Sequence, residues 1–186
     1  MTSINVTFCG DSSVGKTSII YYFVNDRFDD TIQPTVAGVF KKEIIQSDQK
    51  PVTLEIWDTA GDERYASVIT SFFKKSQVVL FVYDITNRKT FEHLDYWFNI
   101  VRQNAPKDAC FIIVGNKSDV ADKKQITFDE LADYARKVNA YSYMETSAKL
   151  GEGISDLFTI VGSTPTVQVI KTPSIQIDTP KKNKCC

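Results

Sequence analysis

Residues 10–17 read Gly-Asp-Ser-Ser-Val-Gly-Lys-Thr, and no other stretch limits what this chain can fold into as tightly. Two glycines enclosing four residues, followed by lysine and a hydroxyl side chain, suit a sharp turn from a strand into a helix. The flanks agree: residues 4–9 read as a strand and residues 16–24 as a helix. Such a turn lines up backbone amides at a helix N-terminus, a concave donor array for phosphate oxygens. Ser13, Val14, Gly15, Lys16, Thr17 and Ser18 form that array. Lys16 adds a mobile positive charge for the β- and γ-phosphates, and the Thr17 hydroxyl can ligate Mg²⁺.

The remaining pattern extends this unit into a layered fold. Residues 40–46 and 52–57 flank Ser47-Asp48-Gln49 and read as a hairpin. Residues 77–83 and 109–115 are continuous runs rich in Val, Ile and Phe, as strands covered on both faces should be. Between them, Phe91, Leu94, Phe98 and Val101 recur at helical spacing. Thr127-Phe128-Asp129-Glu130 is a capping box opening a helix with apolar residues at 128, 131, 132 and 135. Residues 141–145 add a strand, and Ile154, Leu157, Phe158 and Val161 a last helix that Gly162 and Pro165 stop. This alternation predicts an α/β, P-loop NTPase three-layer fold: a mostly parallel six-stranded sheet with helices on both faces. One domain over 1–162 is expected, followed by a flexible tail over 163–186 rich in Thr, Ser, Pro and Lys.

Charge and cysteine placement narrow the class. The formal net charge is −1, yet residues 163–186 hold four lysines against one aspartate, so the remainder carries about −4. A nucleic-acid partner is therefore not expected. Cys9 and Cys110 sit in strand-like runs and read as buried thiols, whereas Cys185 and Cys186 are the final two residues. The first residues lack a signal-peptide pattern and position 2 is not glycine, so a cytosolic origin without N-myristoylation is expected.

Three further segments supply chemistry. Trp57-Asp58-Thr59-Ala60-Gly61 ends a strand. An acidic group there can hold a hydrated Mg²⁺ while the Gly61 amide meets the γ-phosphate. Alone, Asp58 reads equally well as a turn or cap residue. Asn116-Lys117-Ser118-Asp119 follows the next strand. The Asp119 carboxylate can accept from the ring N1–H and 2-amino group of guanine, donors that adenine does not present. Lys117 can lie along the base and Asn116 can tie this loop to the phosphate loop. In Glu145-Thr146-Ser147-Ala148-Lys149 the Ala148 amide can donate to guanine O6, with Ser147 and Lys149 beside it. In this order, the segments favour GTP/GDP over ATP.

Together these residues resemble the small GTPases of the Ras superfamily over about residues 3–161. Three segments are similar to the Rab family in particular: Thr53-Leu54-Glu55-Ile56-Trp57-Asp58-Thr59-Ala60-Gly61, Phe72-Phe73-Lys74-Lys75-Ser76, and Phe81-Val82-Tyr83-Asp84-Ile85-Thr86. Cys185-Cys186 agrees with the Rab type of double geranylgeranylation. The resemblance implies a monomeric regulator of vesicle trafficking that cycles between the cytoplasm and the cytosolic face of an intracellular membrane. It implies effectors, an exchange factor, a GTPase-activating protein, a prenylation escort and a dissociation inhibitor as partners. It makes Thr35 an Mg²⁺ ligand beside Thr17 and Asp58, sets Phe28 edge-on to the guanine, and gives effectors the aromatics Phe40, Trp57 and Phe72.

Two departures qualify the resemblance. Val36-Ala37-Gly38 lacks the family's glycine directly after the apolar residue that follows the threonine, which bears on partner identity. Asp62 replaces the glutamine that orients the attacking water. With Lys16 and Gly61, Asp62 completes the expected catalytic set. Because a carboxylate accepts but cannot donate, and adds charge beside the developing phosphate charge, low intrinsic GTPase activity is expected. The alternative is a largely non-hydrolysing, GTP-loaded binding module. The tail reading predicts that deleting Cys185 and Cys186 releases the protein from membranes with GTP binding unchanged, because stable anchoring needs two lipid chains. Fractionation that still finds the variant on membranes would contradict it.

Overall fold

The computed structural model describes residues 2–165 apart from 34, 36, 46–50, 63 and 65. Its elements run β1 (Thr2–Cys9), α1 (Lys16–Asn25), β2 (Ala37–Ile45), β3 (Pro51–Thr59), α2 (Ala66–Phe73), β4 (Val78–Asp84), α3 (Arg88–Glu92), α4 (Leu94–Asn104), β5 (Cys110–Asn116), α5 (Phe128–Lys137), β6 (Ser142–Thr146) and α6 (Ile154–Gly162). A 3₁₀ segment, Ser118–Lys123, follows β5. The six strands form one sheet in the order β2-β3-β1-β4-β5-β6. Only β2–β3 is antiparallel. This is the expected three-layer α/β fold. The predicted turn at 47–49 and the tail from 166 onward, with Cys185 and Cys186, lie outside the described residues.

β4 shows how the sequence builds two cores. All seven of its residues are buried, and alternate side chains leave a strand on opposite faces. Val78, Leu80 and Val82 join α1 and α6 residues such as Ile19, Leu157 and Phe158. Val79, Phe81 and Tyr83 join Ile69 and Phe73 of α2, Trp97 and Val101 of α4, and Leu131 of α5. β3 lies nearer the edge and alternates instead: Val52, Leu54 and Ile56 are buried while Thr53, Glu55 and Trp57 are half-buried. Cys9 is buried as expected, but Cys110 is only partly so because it opens β5.

Two elements depart from the sequence reading. The helical repeat across Phe91–Val101 is not one helix. It breaks at His93, which ends α3 and opens α4 with φ −73° and ψ −8°. The apolar spacing survives because Leu94, Phe98 and Val101 share one buried stripe. α2 is the second, because the sequence reading assigns no element to residues 66–73. Tertiary burial of Ile69 and Phe73 fixes it.

The capping box is built as expected. The Thr127 hydroxyl accepts from the Glu130 amide at 3.2 Å, and Glu130 Oε2 accepts from the Thr127 amide at 2.9 Å. Arg88 also reaches Glu130 at 2.9 Å. The Arg88 hydrogen bonds, aided by Thr127, hold the Glu130 carboxyl down to about 2, against an ordinary 4.5. Since the folded value lies below the unfolded one, this stabilisation is complete above about pH 4.5 and is lost as pH falls through about 2. Thr127→Ala should lower stability by about 1 kcal/mol and raise the Glu130 midpoint in an NMR titration. A native Glu130 midpoint at the ordinary value would contradict the contact.

Candidate functional site

The loops that leave the carboxyl ends of β1, β3, β5 and β6 converge on one cleft of about 500 Å³. That is where open parallel sheets place their ligands and within the size of small-molecule sites. Its walls include Ser13, Gly15, Lys16, Thr17, Ser18, Phe28, Thr35, Gly61, Asn116, Lys117, Asp119, Ala148 and Lys149. Sequence reasoning missed other wall residues, among them Asp29, Ile32, Gln33 and Val120. They carry no motif, and only the chain's path between α1 and β2, or the turn after Asp119, brings them there.

At one end the phosphate loop keeps its geometry through Gly15. Its φ is +96°, and a Cβ there would stand 2.2 Å from Asn116 Nδ2. Lys16 is held within its own loop. It is 5% exposed, and its Nζ donates to the Gly10 and Asp11 carbonyls at 2.8 and 2.7 Å. Burial pushes its ammonium below the ordinary lysine range. Gly61 packs so closely that a Cβ would lie 2.2 Å from the Asp11 carbonyl carbon and the Ser12 nitrogen. The segment following β3 therefore rests directly on the phosphate loop.

Thr17, Thr35 and Asp58 meet at the same end. Thr17 Oγ1 donates to Asp58 Oδ2 at 2.6 Å and lies 2.7 Å from Thr35 Oγ1. Asp58 is 1% exposed, and its Oδ1 has no hydrogen-bond partner among the described residues. Burial pushes its carboxyl up, against the opposing pull of Thr17 and Lys16. Two hydroxyls and a carboxylate with an unsatisfied buried oxygen form a hard-oxygen donor set that fits Mg²⁺.

At the other end Asn116 joins three loops. Its Nδ2 donates to the Val14 carbonyl at 2.9 Å, while its Oδ1 accepts from the Thr146 hydroxyl and the Ala148 amide, each at 3.2 Å. The tie between this loop and the phosphate loop is as expected. The Ala148 amide, expected to meet a base, is here directed to Asn116. Val14 and Ser147 are buried behind the wall rather than in it, and the Ser147 hydroxyl donates to Asp119 Oδ1 at 2.7 Å. Lys117, at φ +72°, pairs with Asp84 Oδ2 at 2.7 Å. Burial would raise the Asp84 carboxyl, but Lys117 and Thr86 together hold it below the usual range.

Four further expected residues lie outside the cleft wall. Asp62 is not in the cleft wall. Its carboxylate accepts from the Arg64 amide at 2.9 Å and from Nε and Nη2 of the same guanidinium, which hold it down to about 2. Trp57 and Phe72 stack with ring centroids 4.9 Å apart. Phe40 does not join them. It pairs with Ile56 in register and packs against the α1/α6 core on the opposite face of the sheet.

The sequence profile of the Ras family matches residues 5–165, nearly the whole of the described chain. This chain belongs to the Ras family. Ras-family membership makes it a small GTPase regulator, and GTPases of this family generally bind GTP/GDP and Mg²⁺. The Ras-family protein should bind GDP and GTP and ignore ATP, and Asp119→Asn should shift preference toward xanthine nucleotides, whose 2-oxo group needs a donor. Comparable ATP and GTP affinities in equilibrium titrations would remove Asp119 from the role of base discriminator.

Proposed function

We propose that this protein is a Rab-type GTP/GDP switch of vesicle trafficking, bound to a membrane through lipidated Cys185 and Cys186. The observation that carries the nucleotide part is the meeting of Lys16, Thr17 and Asp58 with Asn116 and Asp119 around one cleft. The sequence resemblance carries the trafficking and membrane parts.

In this reading the phosphate-loop amides and Lys16 cradle the β- and γ-phosphates, and Asp119 reads the guanine, with Phe28 at its edge. Thr17, Thr35 and Asp58 would hold Mg²⁺, which when bound neutralises phosphate charge. Thr35 and the Gly61 amide form the two tethers to the γ-phosphate. Hydrolysis removes that group, both segments relax, and the surface carrying the Trp57–Phe72 stack changes. Effectors bind the tethered state. An exchange factor, an activating protein, a prenylation escort and a dissociation inhibitor complete the partner set, with the tail lysines adding attraction to an anionic leaflet.

Asp62 favours slow turnover. Both of its oxygens are engaged by Arg64, and a carboxylate has no proton to donate to a phosphoryl oxygen. The second reading, a protein that stays GTP-loaded as a binding module, rests on the same pair. Asp62→Gln should accelerate single-turnover GTP hydrolysis by about tenfold with nucleotide affinity nearly unchanged. Equal rates would show that Asp62 is not the brake. A slower variant would mean the carboxylate assists hydrolysis, and the GTP-loaded reading would lose its motive.

A further inference from the structure

We infer that His93, the only histidine of the chain, is a positioning residue for the phosphate loop, acting through the carboxylate of Asp11. This inference rests on the nucleotide-binding reading above.

Asp11 Oδ1 lies 2.6 Å from His93 Nδ1 and 2.7 Å from Trp97 Nε1. An indole N–H can only donate, so this oxygen is an acceptor, and His93 serves it by carrying its proton on Nδ1. The two donors come from the junction of α3 and α4 and from the first turn of α4. Trp97 is itself buried in the core beside α4. One end of the link is therefore fixed by packing.

The other end has two tasks. The Asp11 carbonyl accepts from Lys16 Nζ at 2.7 Å, and the Asp11–Ser12 peptide is the surface against which Gly61 rests. Displacing Asp11 thus moves the group that aims Lys16 and the floor beneath Gly61. His93 reaches both of these through Asp11. It also stacks on Tyr96, with centroids 4.7 Å apart and planes 7° from parallel, so its packing and donor roles must be separated experimentally.

Two substitutions separate them. H93N places an amide N–H near the position of Nδ1 but removes the ring, whereas H93F keeps a ring for Tyr96 and removes the donor. Release of a fluorescent GDP analogue from H93F should be about tenfold faster than from native protein, with H93N close to native. H93F releasing at the native rate, or H93N as fast as H93F, overturns the inference. The nitrogen-15 spectrum of the native imidazole gives a second measurement that needs no variant. The nucleotide-bound protein should show Nδ1 protonated, and a neutral ring protonated on Nε2 alone would overturn the proposal. Native protein that fails to bind the GDP analogue would instead refute the nucleotide reading itself.

Discussion

The site depends on one buried amide side chain. Asn116 ends β5 and spans from the Val14 carbonyl to the Thr146 hydroxyl and the Ala148 amide. Three loops that meet nowhere else in sequence are thereby set against each other. The arrangement works because an amide both donates and accepts, which neither aspartate nor leucine at this position could reproduce. Gly15 belongs to the same constraint, since any side chain there would occupy the space of the Asn116 amide. Ser147 then orders Asp119, and Asp84 orders Lys117, so the base end is arranged by side chains that hold one another.

The phosphate end has a different economy. Lys16 and Asp58 are both nearly inaccessible to water, and burial disfavours the charged form of each. Each offsets part of the other's loss, with backbone carbonyls and Thr17 supplying further polar contacts. Buried charges of this kind stabilise a fold poorly compared with apolar packing. Under the proposed nucleotide reading, phosphate oxygens and a hard cation would supply the missing opposite charges. Under the same reading, the contacts of Thr35 and Gly61 with this end would couple ligand charge to the two segments that follow α1 and β3.

The topology was legible because the strands of this sheet have distinct periodicities. β4 reads as an uninterrupted apolar run and β3 as an alternating one, and each pattern matches the faces the structure covers. The phosphate loop, Asp58 and the Asn116–Asp119 segment were legible because their chemistry is compressed into contiguous residues. What escaped was long-range. Nothing local announces that α2 folds on Ile69 and Phe73, that the helical repeat breaks at His93, or that Phe40 lies across the sheet from Trp57. Likewise no local signal announces that two carbonyls of its own loop accept from Lys16. The Asp62–Arg64 pair spans only two residues, yet the residue types alone do not announce it.

The central claim is that Asn116 holds the two ends of one guanine-nucleotide site together. Asn116→Ala removes three hydrogen bonds worth about 1 kcal/mol each, so release of a fluorescent GDP analogue should accelerate by about a hundredfold. Circular dichroism should show the native helix and strand content. A release rate within about twofold of native, at the same structural content, would contradict the account.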